Sequence, residues 1–269
     1  FGVESDLNSD RITMEIQELF EEIRENVRDT SLILNEMARR NEKILLEGAQ
    51  GAFLDIDRGT YPFVTSSSCS AGNGSSGTGL GPLLFDRILG IVKAYTTRVG
   101  EGPFPTELKG GIGDRLQKIG GEFGTTTERP RRCGWLDLVM VRSSVAWNSI
   151  TNLALTKLDV LLGLDQLKVC TGYNIPQDVA DRNGYDTYLS YFPSHTEVLK
   201  SVKPVYQNMP GFIDITKETF LDMKKEGVLE PPIREYVKLI ERETGSRVAM
   251  ISFGPERNET IMLDVDSTL

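Results

Sequence analysis

The chain has 269 residues, 39% of them hydrophobic and 26% charged, enough to bury a full core without disulfide or metal staples. Lys and Arg total 30 against 39 Asp and Glu, a net charge of −9. An acidic chain is repelled by nucleic-acid backbones, and no apolar run approaches the ~20 residues of a membrane span, so neither partner is expected. Residues 1–6 have no secretory signature, and the cysteines (Cys69, Cys133, Cys170) are odd in number and widely spaced. That spacing suggests no zinc site or disulfide framework and fits a reducing cytoplasm.

Residues 10–40 read as amphipathic helix, with apolar Ile12, Ile16, Leu19, Phe20, Ile23 and Val27 at helical spacing and Ser31 as the cap of a second segment over 32–40. The run 43–46 (Lys-Ile-Leu-Leu) reads as a buried strand ending in Glu47-Gly48-Ala49-Gln50-Gly51. Apolar strands with polar or Gly-rich ends recur at 153–155, 167–170 and 248–251. In open α/β sheets ligands bind at the carboxyl ends of strands, so these ends suggest one sheet edge lined for a ligand. Helices are predicted over 83–95, 136–150 and 231–243, the last with Pro231 at its opening position and Gly245 after its end. The region 173–230 is richer in polar residues, Pro and Gly and reads as an α+β insertion.

Several stretches carry chemistry. Residues 72–77 form a formal G-x-G-x-x-G, but no strand precedes them and the next helix is predicted only near Leu83. A dinucleotide fingerprint needs both, so the segment reads as a mobile or ligand-ordered loop. Thr156-Lys157-Leu158-Asp159 follows an apolar strand. A carboxylate there accepts from both N1–H and the exocyclic amine of guanine, which adenine cannot match, and the Lys stem can lie along the purine face. Taken alone, the motif is equally a surface Lys/Asp turn. Residues 121–132 hold glycines, Thr125, Thr126, Thr127, Arg129, Arg131 and Arg132, a donor-rich loop suited to a carboxylate or phosphate or, more simply, to water. The single histidine, His195, lies in a polar stretch and reads as solvated.

Together these segments resemble one family. Residues 47–51, 55–67, 102–107 (Gly-Pro-Phe-Pro-Thr-Glu), 122–127, 129–137, 156–159 and 252–260 look like adenylosuccinate synthetase, in the family order from about residue 43 onward. The resemblance implies an α/β fold: a P-loop-NTPase-like, mostly parallel central sheet with flanking helices and a smaller α+β insertion, residues 1–269 being the C-terminal portion of one such domain. It implies a homodimeric ligase that joins IMP and L-aspartate using GTP and Mg²⁺. The γ-phosphate goes to the 6-oxygen of IMP, and the aspartate amine then displaces it.

Carried over by the same resemblance, Gln50, Thr65, Val99 and Arg129 contact IMP, with Thr65 at its 5′-phosphate. Thr125, Thr126, Thr127, Arg129 and Arg131 hold aspartate. Arg131, Lys157, Leu158, Asp159, Ser252, Phe253 and Gly254 hold GTP. The family's phosphate loop with its Asp base and metal ligand, its His acid and an Arg lent across the dimer match nothing in this sequence. No catalytic base, acid or metal ligand is therefore expected here, and the chain alone is expected to be inactive. Glu128 and Pro130 stand where small or basic residues are usual. A non-catalytic guanine-nucleotide-binding module or pseudo-enzyme of the same family is the alternative.

Overall fold

The computed structural model describes residues 8–124 and 128–263. It forms two compact units, residues 1–47 with 74–84, and residues 48–73 with 85–269.

The first unit is helical. Helix α1 (Ser9–Ile23) starts at Asn8, whose side chain accepts from the N–H groups of Asp10 and Arg11, and it leaves Ile16, Leu19 and Phe20 exposed. Helix α2 (Thr30–Arg39) is capped by Asp29, which accepts from Leu32 N at 3.0 Å. The cap is thus Asp29 and not the expected Ser31, because the helix begins two residues earlier than its apolar pattern suggests. Part of the Gly-rich stretch, read as a loop, forms a short helix α3 (Asn73–Thr78). Gly79 ends it at φ +75°, and a Cβ there would lie 2.1 Å from Ser31 Oγ, so only glycine fits. The run 43–46 forms no strand, and Leu45 is 93% exposed. No neighbouring strand is hydrogen-bonded to it among the described residues, and an apolar run without such a partner has no ladder to join.

The second unit holds the sheets. Strand β1 (Leu89–Lys93) occupies the segment predicted as helix 83–95; only a single 3-10 turn, Pro82–Leu84, precedes it. Tertiary pairing overrides the local pattern here. β1 aligns in parallel with a later strand, and a Cβ on Gly90 would strike Ile150 and Leu153. Strand β2 (Thr96–Arg98) and helix α4 (Ile112–Ile119) follow, then strands β3 (Arg132–Gly134) and β4 (Leu136–Asp137) and helix α5 (Leu138–Asn148). Strands β5 (Asn152–Thr156) and β6 (Gln166–Asn174) lie where apolar strands are predicted, although β6 is longer. Residues 173–230 contain helix α6 (Gln177–Asn183), strand β7 (Tyr188–Leu189), helix α7 (Thr196–Ser201), strand β8 (Lys203–Pro210) and helix α8 (Lys217–Glu226). Helix α9 (Pro231–Thr244) ends at Gly245 in the left-handed region, as its Pro and Gly signals predict, and strands β9 (Arg247–Ser252) and β10 (Thr260–Met262) complete the described fold.

The main sheet runs β1-β5-β9-β10, with β1, β5 and β9 parallel and β10 antiparallel. A second sheet joins β4 in parallel to β6, which pairs antiparallel with β7 and β8, and a two-stranded ribbon joins β2 to β3. The α/β class with a mostly parallel main sheet and flanking helices is what the sequence predicts. The main core packs Leu153, Leu155 and Ile251 of the sheet against Phe212, Tyr236 and Ile240. A smaller cluster gathers Val139, Cys170, Tyr173, Leu189 and Val198. Among the described residues no helix is long and apolar enough to cross a membrane.

Candidate functional site

Because β1, β5 and β9 run in parallel, their carboxyl ends emerge on one edge of the main sheet. β1 ends on Lys93, opposite Thr156 of β5; β5 leads into Lys157-Leu158-Asp159; β9 ends on Ser252. Two sequence motifs almost a hundred residues apart thus become neighbours.

Lys157 takes a left-handed conformation, φ 60°, where β5 passes into the 3-10 turn Leu158–Leu161. Leu158 is buried in the core, so it presents only backbone to a ligand. Asp159 lies within the turn. Its Oδ1 is buried and has no hydrogen-bond partner among the described residues. Burial pushes its carboxyl above the usual range and Glu259 adds to the rise, while the nearby Lys217 and Lys157 ammonium groups oppose it. A buried, unpaired acceptor costs about 1–3 kcal/mol, which makes it a mark of a ligand position.

At the end of β9, Ser252 Oγ donates to Gly254 O at 2.8 Å, and Phe253 is buried with its ring stacked on Phe220 at 4.6 Å. Phe253 therefore leaves only its backbone at this edge. Gly254 packs against the Glu259 carboxylate: a Cβ would lie 2.0–2.6 Å from it, so any larger residue must push that carboxylate aside. That carboxylate accepts from Glu256 N at 2.9 Å and pairs with Lys217 at 3.3 Å. The Lys217–Glu259 pair on this rim carries no motif in the sequence; only the fold reveals it.

The second group of predicted residues gathers around Asp55. This buried carboxylate accepts from the N–H groups of Asp57 (2.9 Å), Arg58 (2.9 Å), Cys69 (2.7 Å) and Ser70 (3.1 Å), and from Ser68 Oγ (3.0 Å). Burial alone would raise it, but the donors outweigh burial and hold it at about 2. The turn so fixed carries Thr65, whose N donates to Leu54 O at 2.8 Å. Gln50 is exposed, its Oε1 3.8 Å from Cys69 Sγ. Arg98, nearly buried, donates to Thr60 Oγ1 (2.9 Å) and Phe63 O (3.2 Å), tying this turn to the end of β2, where half-exposed Val99 follows. Pairing of β2 with β3 places Arg98 opposite Arg132 and brings the 128–132 segment alongside.

The arginines of that segment separate. Arg132 is engaged by groups of the protein itself. It makes a bidentate pair with Glu107 (2.7 and 2.8 Å), donates to the carbonyls of Gly100 and Gly102, and lies over the Phe104 ring. Arg131 pairs with Glu122 at 3.0 Å while its Nε is buried without a partner among the described residues. Arg129 is exposed and makes no ion pair among the described residues. Gly124 N donates to Arg129 O at 2.9 Å and Glu128 N to Gly124 O at 2.8 Å, with Glu128 at φ 50°. Thr125, Thr126 and Thr127 lie outside the described residues.

The residues that sequence reasoning missed are Lys93, Tyr95 and Glu122. Glu122 belongs to a quoted motif but carries no role there, and the predicted helix over 83–95 hides the other two. His195 flanks the start of α7, its ring edge-on to Tyr185. Among the described residues no group of three or more His, Cys, Asp or Glu is placed to hold a metal ion.

Comparisons with known proteins agree with this geometry. The sequence model of the family described as Adenylosuccinate synthetase matches residues 2–261. The chain is 49% identical over 247 residues to an adenylosuccinate synthetase of Caldanaerobacter subterraneus, covering 92% of this chain and 55% of that protein. It is 48% identical over 263 residues to the one from Syntrophus aciditrophicus, covering 98% of this chain and 58% of that protein. Among solved structures, a fully ligated adenylosuccinate synthetase from Plasmodium falciparum superposes with a TM-score of 0.86 at 33% identity, over 97% of this chain and 59% of that one. The chain spans about half the length of the curated relatives it matches. With the family model matching nearly its whole length and these motifs in place, the chain belongs to the adenylosuccinate synthetase family.

Proposed function

We propose that this chain supplies the substrate-binding part of a GTP-dependent ligase that joins IMP and L-aspartate into adenylosuccinate. The observation that carries the reading is the buried, unpartnered Oδ1 of Asp159 at the carboxyl edge of the main sheet, beside Lys157 and opposite the end of β9. A guanine base presents two adjacent donors, N1–H and the exocyclic amine, that satisfy such a carboxylate. Lys157, the Leu158 backbone and residues 252–254 flank the base.

IMP falls to Gln50, Thr65, Val99 and Arg129, on segments that Asp55 and Arg98 hold in place. Aspartate falls to Thr125, Thr126, Thr127, Arg129 and Arg131, where guanidinium groups match its carboxylates. These groups bind, orient and neutralise charge. They bring the amine of aspartate, the 6-oxygen of IMP and the γ-phosphate together, which is where positioning lowers the barrier. Proton transfer is assigned to no residue of this chain. Mg²⁺ belongs to the reading as a cofactor of the complete protein. The reading includes a homodimer and a cytoplasmic setting, which free Cys69, Cys133 and Cys170 suit.

The test is turnover by the full-length protein of IMP, aspartate and GTP, followed by release of GDP and formation of adenylosuccinate. All three substrates are expected to be required, with ATP failing to replace GTP. Guanine-nucleotide binding without turnover would instead favour the non-catalytic module.

A further inference from the structure

We propose that Glu122 is a positioning residue that fixes Lys157, on the nucleotide side, and Arg131, on the loop side, in one geometry, so that GTP and the anionic co-substrate are gripped by a single charge cluster. This role deepens the ligase reading above and rests on it.

Glu122 is fully buried, and both its oxygens are engaged. Lys93 Nζ lies 2.7 and 2.8 Å from them, and Tyr95 Oη donates at 2.6 Å. Arg131 reaches Oε2 at 3.0 Å and Lys157 reaches Oε1 at 3.2 Å. The main chain pins the same region, with Arg131 N donating to Glu122 O at 2.9 Å. Three separate segments therefore meet on one carboxylate: the end of β1, the turn after β5 and the approach to β3.

Charge and exposure show which way the cluster faces. One anion meets three cations, so positive charge is left over. The side chains of Lys93, Arg131 and Lys157 are 26%, 29% and 35% exposed, whereas Glu122 is 0% exposed. The carboxylate is thus the inner anchor, and the cationic side chains around it stay partly exposed, within reach of solvent or an anionic ligand. Arg131 Nε is buried and has no partner among the described residues. Burial opposes ionisation of Glu122, yet Lys93, Tyr95 and Arg131 outweigh it and hold the carboxyl at about 2, so the anchor stays charged across the working pH range.

In the full-length protein, wild-type turnover is measured first; its absence removes the ligase reading and this role together. With turnover present, Glu122→Gln keeps the shape but loses the charge that orders the cations. It is expected to raise the KM for GTP and the KM for aspartate together, about tenfold each, with the KM for IMP within about twofold. Glu122→Asp keeps the charge but shortens its reach, and is expected to recover part of both losses. A residue that served only the core would lower the melting temperature and leave both KM values in place, and that result in a folded variant overturns the role. Where the Glu122 variants do not fold, Lys157→Met decides. Its side chain is partly exposed, and its removal leaves the carboxylate free to draw Arg131 inward. A threefold or larger rise in the KM for aspartate supports the coupling, and an unchanged value overturns it.

Discussion

Tyr173 Oη donates a 2.6 Å hydrogen bond to Asp137 Oδ2 in the interior, where Asp137 also caps α5 through Val139 N and Met140 N. Asp137 is 1% exposed, and burial raises its carboxyl to about 6 even though Tyr173, Met140 and Val139 pull the other way. A raised acid is protonated in the folded state while the unfolded chain is already ionised. Its contribution to stability is therefore full below pH 3.8 and is lost as pH rises through about 6. Asp137→Asn removes this titration but keeps an acceptor for the cap. From pH 3.5 to pH 7 the stability of the variant is expected to gain about 3 kcal/mol on the wild type, read from denaturant midpoints. Parallel pH profiles would refute the assignment.

Asp159→Asn is expected to relax guanine selectivity. The amide accepts from one donor of the base and turns its own N–H₂ toward the other. Competition between GTP and XTP or ITP in the full-length protein should show the GTP preference falling by about 5- to 100-fold. Unchanged selectivity would remove Asp159 from the base contact.

Asp159 should also make nucleotide affinity pH-dependent. Guanine binds the ionised carboxylate, and burial holds the free carboxyl above its usual range. Affinity should be level well above that raised value and fall, by up to about tenfold per pH unit, once pH drops below it. Binding near it should release a proton, visible in calorimetry as a dependence on buffer ionisation enthalpy. Asp159→Asn should abolish both effects; a wild-type affinity that stays flat as pH falls all the way to the ordinary carboxylate value of 3.8 would contradict the role.

Gly254→Ala tests the opposite wall. The added methyl displaces the Glu259 carboxylate and with it the contacts to Glu256 N and Lys217. A rise of about three- to tenfold in the KM for GTP, with kcat retained, is the expected outcome of steady-state kinetics. Wild-type kinetics would show that the rim does not matter to the nucleotide.

Much of this protein is local enough to read from sequence. Apolar runs ending in polar residues mark β5 and β9; Pro231 and Gly245 delimit α9; Lys157, Asp159 and residues 252–254 stand out as strand-end chemistry; and the ordered motifs point to the family. These signals depend on short-range periodicity, turn chemistry and spacing, which the chain carries within a few residues. The tertiary structure decided what depends on distant partners. Residues 89–93 become a strand and not a helix because β5 offers a parallel ladder and Ile150 and Leu153 fill the space above Gly90. Arg132 turns from a ligand donor into a structural clamp because Glu107, 25 residues earlier, meets its guanidinium. Glu122 becomes the anchor of Lys93 and Lys157, 29 and 35 residues away, because the parallel strands β1 and β5 deliver them to one point. No pattern in the neighbouring residues encodes such a meeting: a charge finds its partner through the register and direction of the sheet, and only the folded chain sets those.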